Sequence, residues 1–151
     1  MTSLDKGRAA AANQGRAAAG SPTVFNPAHL HDPTPYGYST AVITPGNGRL
    51  AFVSGQGAQD ATGALSPDFA LQVAQAYANL GAVLEALGAS PNQVVKLTVF
   101  VVDHDMSKLG VLTEQVTRMF GGSLPAQTLV PVPKLAVDGM LFEVEAVVAL
   151  T

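Results

Sequence analysis

Two acids near the C-terminus have the type and spacing for proton chemistry. In Phe142-Glu143-Val144-Glu145-Ala146, strand alternation points Phe142, Val144 and Ala146 one way and Glu143 and Glu145 the other. Either both carboxylates face solvent, or one lies in a partly desolvated crevice, where burial raises its pKa and lets it handle a proton or a water. Gly55-Gln56-Gly57 closes another strand-like run and could let a ligand approach the backbone. Gly46, Gly48, Gly55 and Gly57 form neither a G-x-G-x-x-G fingerprint nor a P-loop, and Gly46 and Gly48 read as hairpin residues. Metal chemistry has little to work with. His29 and His31 stand two apart in a Pro-rich stretch, His104 lies between Asp103 and Asp105, and no ligand spacing links them. The absence of cysteine excludes disulfides, thiolate nucleophiles and thiolate zinc sites.

The elements that must position these residues follow from periodicity and punctuation. Tyr38 to Ile43 and Leu50 to Ser54 read as a hairpin around Pro45-Gly46-Asn47-Gly48. Ser66 offers an N-cap, with Pro67 in the first helical position and Asp68 in the first turn. The helix that follows carries Val73, Tyr77, Leu80, Leu84 and Leu87 on one stripe and closes at Gly88. Ser90-Pro91-Asn92-Gln93 has the capping-box pattern, and the β-branched run Val94 to Val102 predicts a largely buried strand. A second helix is expected from about Lys108 to Phe120. Strands over about Ala126 to Val132, with Pro131 and Pro133 marking an edge or a strand end, and Leu141 to Leu150 complete the chain. The order is β-β-α-β-α-β-β, an α+β arrangement whose two helices cover one face of a single mixed sheet. The other face should find a partner.

Composition bears on that partner. The 151 residues are 48% hydrophobic but only 13% charged, about half the usual ~25%. Residues 1–23 read as a flexible Ala/Gly/Arg-rich arm, residues 24–35 as an extended Pro-rich lead-in, and residues 36–151 as one domain. Beyond the arm only Arg49, Lys96, Lys108, Arg118 and Lys134 are basic, with no basic stripe, which argues against a nucleic-acid partner. No apolar run reaches the ~18 residues of a membrane span. A reducing, cytoplasmic location is expected. The low charge and the open sheet face together point to a homo-oligomer.

Five blocks in order resemble the Rid/YjgF family of reactive-intermediate deaminases, which includes proteins once described as L-PSP endoribonucleases. They are Leu50 to Gln56, Asn79-Leu80 with Val83 to Ala89, Val94 to Val101, Leu124-Pro125-Ala126 and Phe142 to Ala146. The resemblance spans roughly Tyr36 to Leu150. It implies a chorismate-mutase-like subunit, a homotrimer with a central barrel, and three small-molecule clefts between subunits. It also implies cofactor-free hydrolysis of imines or enamines to ammonia and a 2-keto acid.

Carried over residue by residue, Glu143 matches the water-positioning glutamate, Tyr38 a cleft tyrosine, and Ser54, Gly55 and Gln56 the cleft backbone. Gln127 falls where the family's deaminases place a carboxylate-binding arginine, with Thr128 beside it, and Thr113 stands where an asparagine is common. An arginine fork makes two charge-assisted hydrogen bonds to a carboxylate, whereas glutamine offers a neutral amide. Two expectations follow. One is a cofactor-free hydrolase of an imine, enamine or related ligand, with little standard 2-aminoacrylate or 2-iminobutyrate deaminase activity. The other is a non-catalytic trimeric binding or regulatory module.

Overall fold

The computed structural model describes residues 23–150 except 33, 37–39 and 45. Residues 1–22 of the expected arm, and Tyr38 with residue 39 of the expected opening strand, therefore lie outside the described residues; Thr40 is described, and the strand proper begins at Ala41.

The sheet has six strands in the order β1-β2-β3-β6-β4-β5. They are β1 (Thr23–Phe25), β2 (Ala41–Ile43), β3 (Leu50–Gln56), β4 (Val94–Val102), β5 (Ala126–Val132) and β6 (Phe142–Ala149). All neighbours are antiparallel except β4 and β5, which are parallel and joined across by a helix. The arrangement is the expected α+β one with one strand more. Thr23–Phe25 is too short to show a period, and it becomes a strand by pairing with β2, Thr23 opposite Ile43. Of the two readings its prolines allowed, β5 is an edge strand.

Helix α1 (Phe69–Ala86) starts two residues later than expected. Asp68 is its N-cap, its carboxylate accepting from the Leu71 N–H at 2.9 Å. Ser66 instead receives the Asp68 N–H at 3.1 Å. At the other end Gly88 adopts φ +68°, and the Ala89 and Gly88 amides return to Leu84 and Glu85 in a Schellman close. Helix α2 (Leu109–Phe120) follows a short 3-10 turn over Met106–Lys108.

One core lies between the helices and the sheet. Val73, Ala76, Tyr77, Leu80, Val83 and Leu84 of α1 meet Leu97, Val99 and Val101 of β4 and Phe142, Val144, Ala146 and Val148 of β6, all buried. Alternation sends the remaining strand residues to the opposite, uncovered face. There Phe52 is 46% exposed, and Phe100 and Val147 are partly so.

Candidate functional site

Glu143 is on the uncovered face, opposite Phe100, and Glu145 is two residues further along, opposite Thr98. The alternation expected for this strand is present: Phe142, Val144 and Ala146 are buried, Glu143 is half-buried and Glu145 exposed. Burial raises the Glu143 pKa above its ordinary value, and the neighbouring Glu145 charge adds to the rise. Of the two environments left open by the sequence, Glu143 occupies the crevice and Glu145 the solvent.

β3 makes the crevice. Its pairing with β6 is regular from Leu50 to Val53 and shifts between Val53 and Gln56, a bulge that turns Ser54 and Gly55 relative to the ladder. The Glu143 carboxylate fills the space above Gly55: a Cβ there would lie 1.9 Å from Oε1 and 2.6 Å from Cδ. At Gly57 a Cβ would lie 2.4 Å from Met140 Cε. The close approach expected of a ligand at this glycine pair is thus made by two side chains of the β6 segment. Gln56 folds back, its Nε2 donating to the Ser54 carbonyl at 3.1 Å.

The segment before β2 is tied to the same place. Buried Asn26 accepts the Thr40 N–H at 2.7 Å, and the Thr40 carbonyl accepts the Ser54 N–H at 2.9 Å. Asn26 was not legible as a site residue. An asparagine between Phe25 and Pro27 looks like turn punctuation until the fold brings it beside residue 40.

The other expected residues are elsewhere. Gln127 pairs with core-facing Leu97, so it points to the helix-covered side, where it is exposed at the sheet edge. Glu143 is level with Val130 of β5, two strand steps away, so Gln127 is roughly 10 Å across and 10 Å along as well as on the opposite face. Thr113 is exposed on α2, also on the covered side. Thr128 is on the uncovered face and accepts the Lys96 ammonium at 2.7 Å. One chain therefore gathers Ser54, Gly55, Gln56 and Glu143, and leaves Gln127 and Thr113 apart from them.

Among the described residues no three His, Cys, Asp or Glu side chains converge on a possible metal position. His29 and His31 are exposed, and the Nδ1 of half-buried His104 is buried without a hydrogen-bond partner among the described residues. No described helix is long and apolar enough to cross a membrane.

Comparison with known proteins agrees with this architecture. The family model described as Endoribonuclease L-PSP matches residues 30–150. A mouse protein named 2-iminobutanoate/2-iminopropanoate deaminase is 39% identical over 112 residues, covering 73% of this chain and 78% of that protein. A RutC family protein of Pyrococcus horikoshii is 37% identical over 117 residues, covering 76% and 89%. Among solved structures, RidA from an Antarctic Psychrobacter superposes with a TM-score of 0.66 at 33% identity, covering 76% of this chain and 89% of that one. The protein YJGH superposes with a TM-score of 0.73 at 31% identity, covering 85% and 95%. These superpositions show that the solved structures share this fold. The chain belongs to the Rid/YjgF family, the family of the L-PSP endoribonuclease model.

Proposed function

We propose that this chain is a cofactor-free hydrolase of a small imine or enamine, working in a cleft completed by a second copy of itself in a homotrimer. The observation that carries the reading is Glu143, a carboxyl of raised pKa seated over Gly55 on the uncovered face. A carboxylate whose pKa is raised is a stronger base, better able to take a proton from water as that water attacks. Water attacks the imine carbon as Glu143 accepts its proton. The proton passes to the nitrogen, the carbon–nitrogen bond of the resulting carbinolamine breaks, and ammonia and a carbonyl compound leave. Relatives named as 2-iminobutanoate/2-iminopropanoate deaminases support the imine class.

Gln127 and Thr113 belong to the covered side of the sheet, so their part in such a cleft is to face Glu143 of a neighbouring copy. The exposed Phe52 on the open face supports the same assembly. A neutral amide at Gln127 in place of an arginine fork weakens carboxylate binding by roughly 1.5–3 kcal/mol, a loss of about ten- to 150-fold. Standard 2-imino acids are therefore poor substrates. That same substitution favours the second reading, a trimeric binding module without catalysis.

An ammonia-release assay with freshly generated 2-aminoacrylate and 2-iminobutyrate separates these. Wild type is expected to turn over slowly, Gln127→Arg faster, and Glu143→Ala not at all. Robust wild-type turnover abolished by Glu143→Ala overturns the role given to Gln127 and keeps the enzyme. Inactivity of all three with retained small-molecule binding moves the protein to the binding module.

A further inference from the structure

The two segments that meet at the Gly55–Glu143 contact are both held from beneath by amide side chains of α1. Gln72 is only 1% exposed, yet every polar atom of its side chain is used. Its Nε2 donates to the Ser66 carbonyl at 2.7 Å and the Gly139 carbonyl at 2.8 Å, and its Oε1 accepts the Leu141 N–H at 2.8 Å. Seven residues on, and so on the same helical stripe, Asn79 donates through Nδ2 to the carbonyls of Gly57 and Gln59, both at 2.9 Å. Its Oδ1 accepts from Gln75 at 2.9 Å. Gln72 thus grips the turn that enters β6, and Asn79 grips the loop that leaves β3.

These segments press on each other at two glycines. Met140, between the Gly139 and Leu141 groups held by Gln72, lies against Gly57, and Asn79 holds the Gly57 carbonyl. Glu143 follows Leu141 by two strand residues, about 7 Å, and lies against Gly55. We propose that Gln72 and Asn79 are positioning residues that together hold the Glu143 carboxylate against Gly55. Neither touches Glu143. They act through the backbone of residues 57–59 and 139–141, and a buried amide with all its bonds made allows that backbone one arrangement. Replacing Gln72 by an apolar side chain leaves three backbone groups without their partner, one of them two residues from Glu143. The importance of this clamp for turnover rests on the role proposed for Glu143, whereas the clamp itself is a matter of geometry.

The test uses the full chain and NMR. Wild type, Gln72→Met, Asn79→Leu and, as a core control of reduced stability, Val83→Ala are compared in two readings. These are the nuclear Overhauser contact between the Gly55 α-protons and the Glu143 γ-protons, and the titration of the Glu143 carboxyl carbon. The contact is expected to be lost in Gln72→Met and Asn79→Leu, with the Glu143 midpoint falling towards the ordinary glutamate value. Val83→Ala keeps both. If Gln72→Met does not fold, Asn79→Leu decides. Persistence of the contact in a folded Gln72→Met or Asn79→Leu, or its equal loss in Val83→Ala, overturns the clamp. A wild-type Glu143 that shows the contact but titrates as an ordinary glutamate removes the support for the proposed reaction and leaves the clamp standing.

Discussion

The Glu143 carboxylate occupies the volume in which a side chain at Gly55 would begin, with Oε1 1.9 Å from the position of a Cβ. Gly55 does not adopt a positive φ, so what the position requires of glycine is room and not backbone freedom. In Gly55→Ala the flexible end of Glu143 swings away, which costs stability only about 1 kcal/mol or less. Displacing a catalytic group by an ångström or so is expected to lower turnover about ten- to a hundredfold. Urea unfolding and turnover measured on the same sample check this. An active Gly55→Ala would mean that the contact has no part in the chemistry.

Gly57→Ala is expected to cost more stability than Gly55→Ala. The group it displaces is Met140, which is buried and cannot leave without disturbing packing. Overpacking of this kind typically costs about 1–3 kcal/mol. The pair of alanine variants therefore differs in the stability it costs at two glycines only two residues apart. Equal losses of stability in both would contradict the difference between a displaceable carboxylate end at Gly55 and a buried methionine at Gly57.

Much of this organisation was legible because it is local. The β-branched run Val94 to Val102 became β4 with those bounds, and the alternation of Phe142 to Ala146 told which side Glu143 would take. Relations between strands were not legible. Period-two alternation orders the faces within β5 and within β6, but the register that places Gln127 opposite Leu97 and Glu143 opposite Phe100 is a property of the assembled sheet. Gln72 was hidden for a related reason. Beside the apolar stripe of α1 it looks like a polar interruption, and two of its three partners arrive with the turn from residue 139, distant in sequence.

Tyr77 offers a gain in stability. Its ring stacks on Phe142 at 5.8 Å and meets Phe120 edge-on at 6.5 Å, contacts that phenylalanine can keep. Its hydroxyl is buried without a hydrogen-bond partner among the described residues, and burial holds the phenol far above its ordinary pKa, so it stays neutral. Removing an unsatisfied buried hydroxyl is expected to stabilise the fold by about 1 kcal/mol. A raised urea midpoint for Tyr77→Phe at unchanged slope is the expected result. A lowered midpoint would reveal a partner for the hydroxyl.

The proposed trimer buries the uncovered sheet face, and Phe52 tests it. This side chain is 46% exposed in the single chain and sits between Val42 and Val147 in the ladder. A glutamate there would bring a charge into an apolar interface with no cation facing it from these neighbours, a strongly unfavourable exchange. Phe52→Glu is expected to sediment as a monomer that keeps its secondary structure, while wild type sediments as a trimer. A trimeric Phe52→Glu would place the interface elsewhere.

Glu143 also sets a pH dependence whose sign is opposite to that of hydrogen-bonded carboxylates. Its folded pKa lies above the ordinary value of 4.5, so between those two points the folded chain binds more protons than the unfolded one. Stability must then fall as pH rises through that window. Asp32, Asp60 and Asp105 act the other way. Hydrogen bonds from Thr34, Thr62 and Ser107 lower their pKa values, so the stability they contribute is lost as pH falls. Glu143→Gln removes the first slope and leaves the second. Unfolding free energies measured across the acid range should therefore coincide for wild type and Glu143→Gln in shape below the ordinary glutamate value. Above it they should diverge, with the variant gaining relative stability as Glu143 ionises. Parallel curves throughout would show that the Glu143 carboxyl is as well solvated in the folded chain as in the unfolded one.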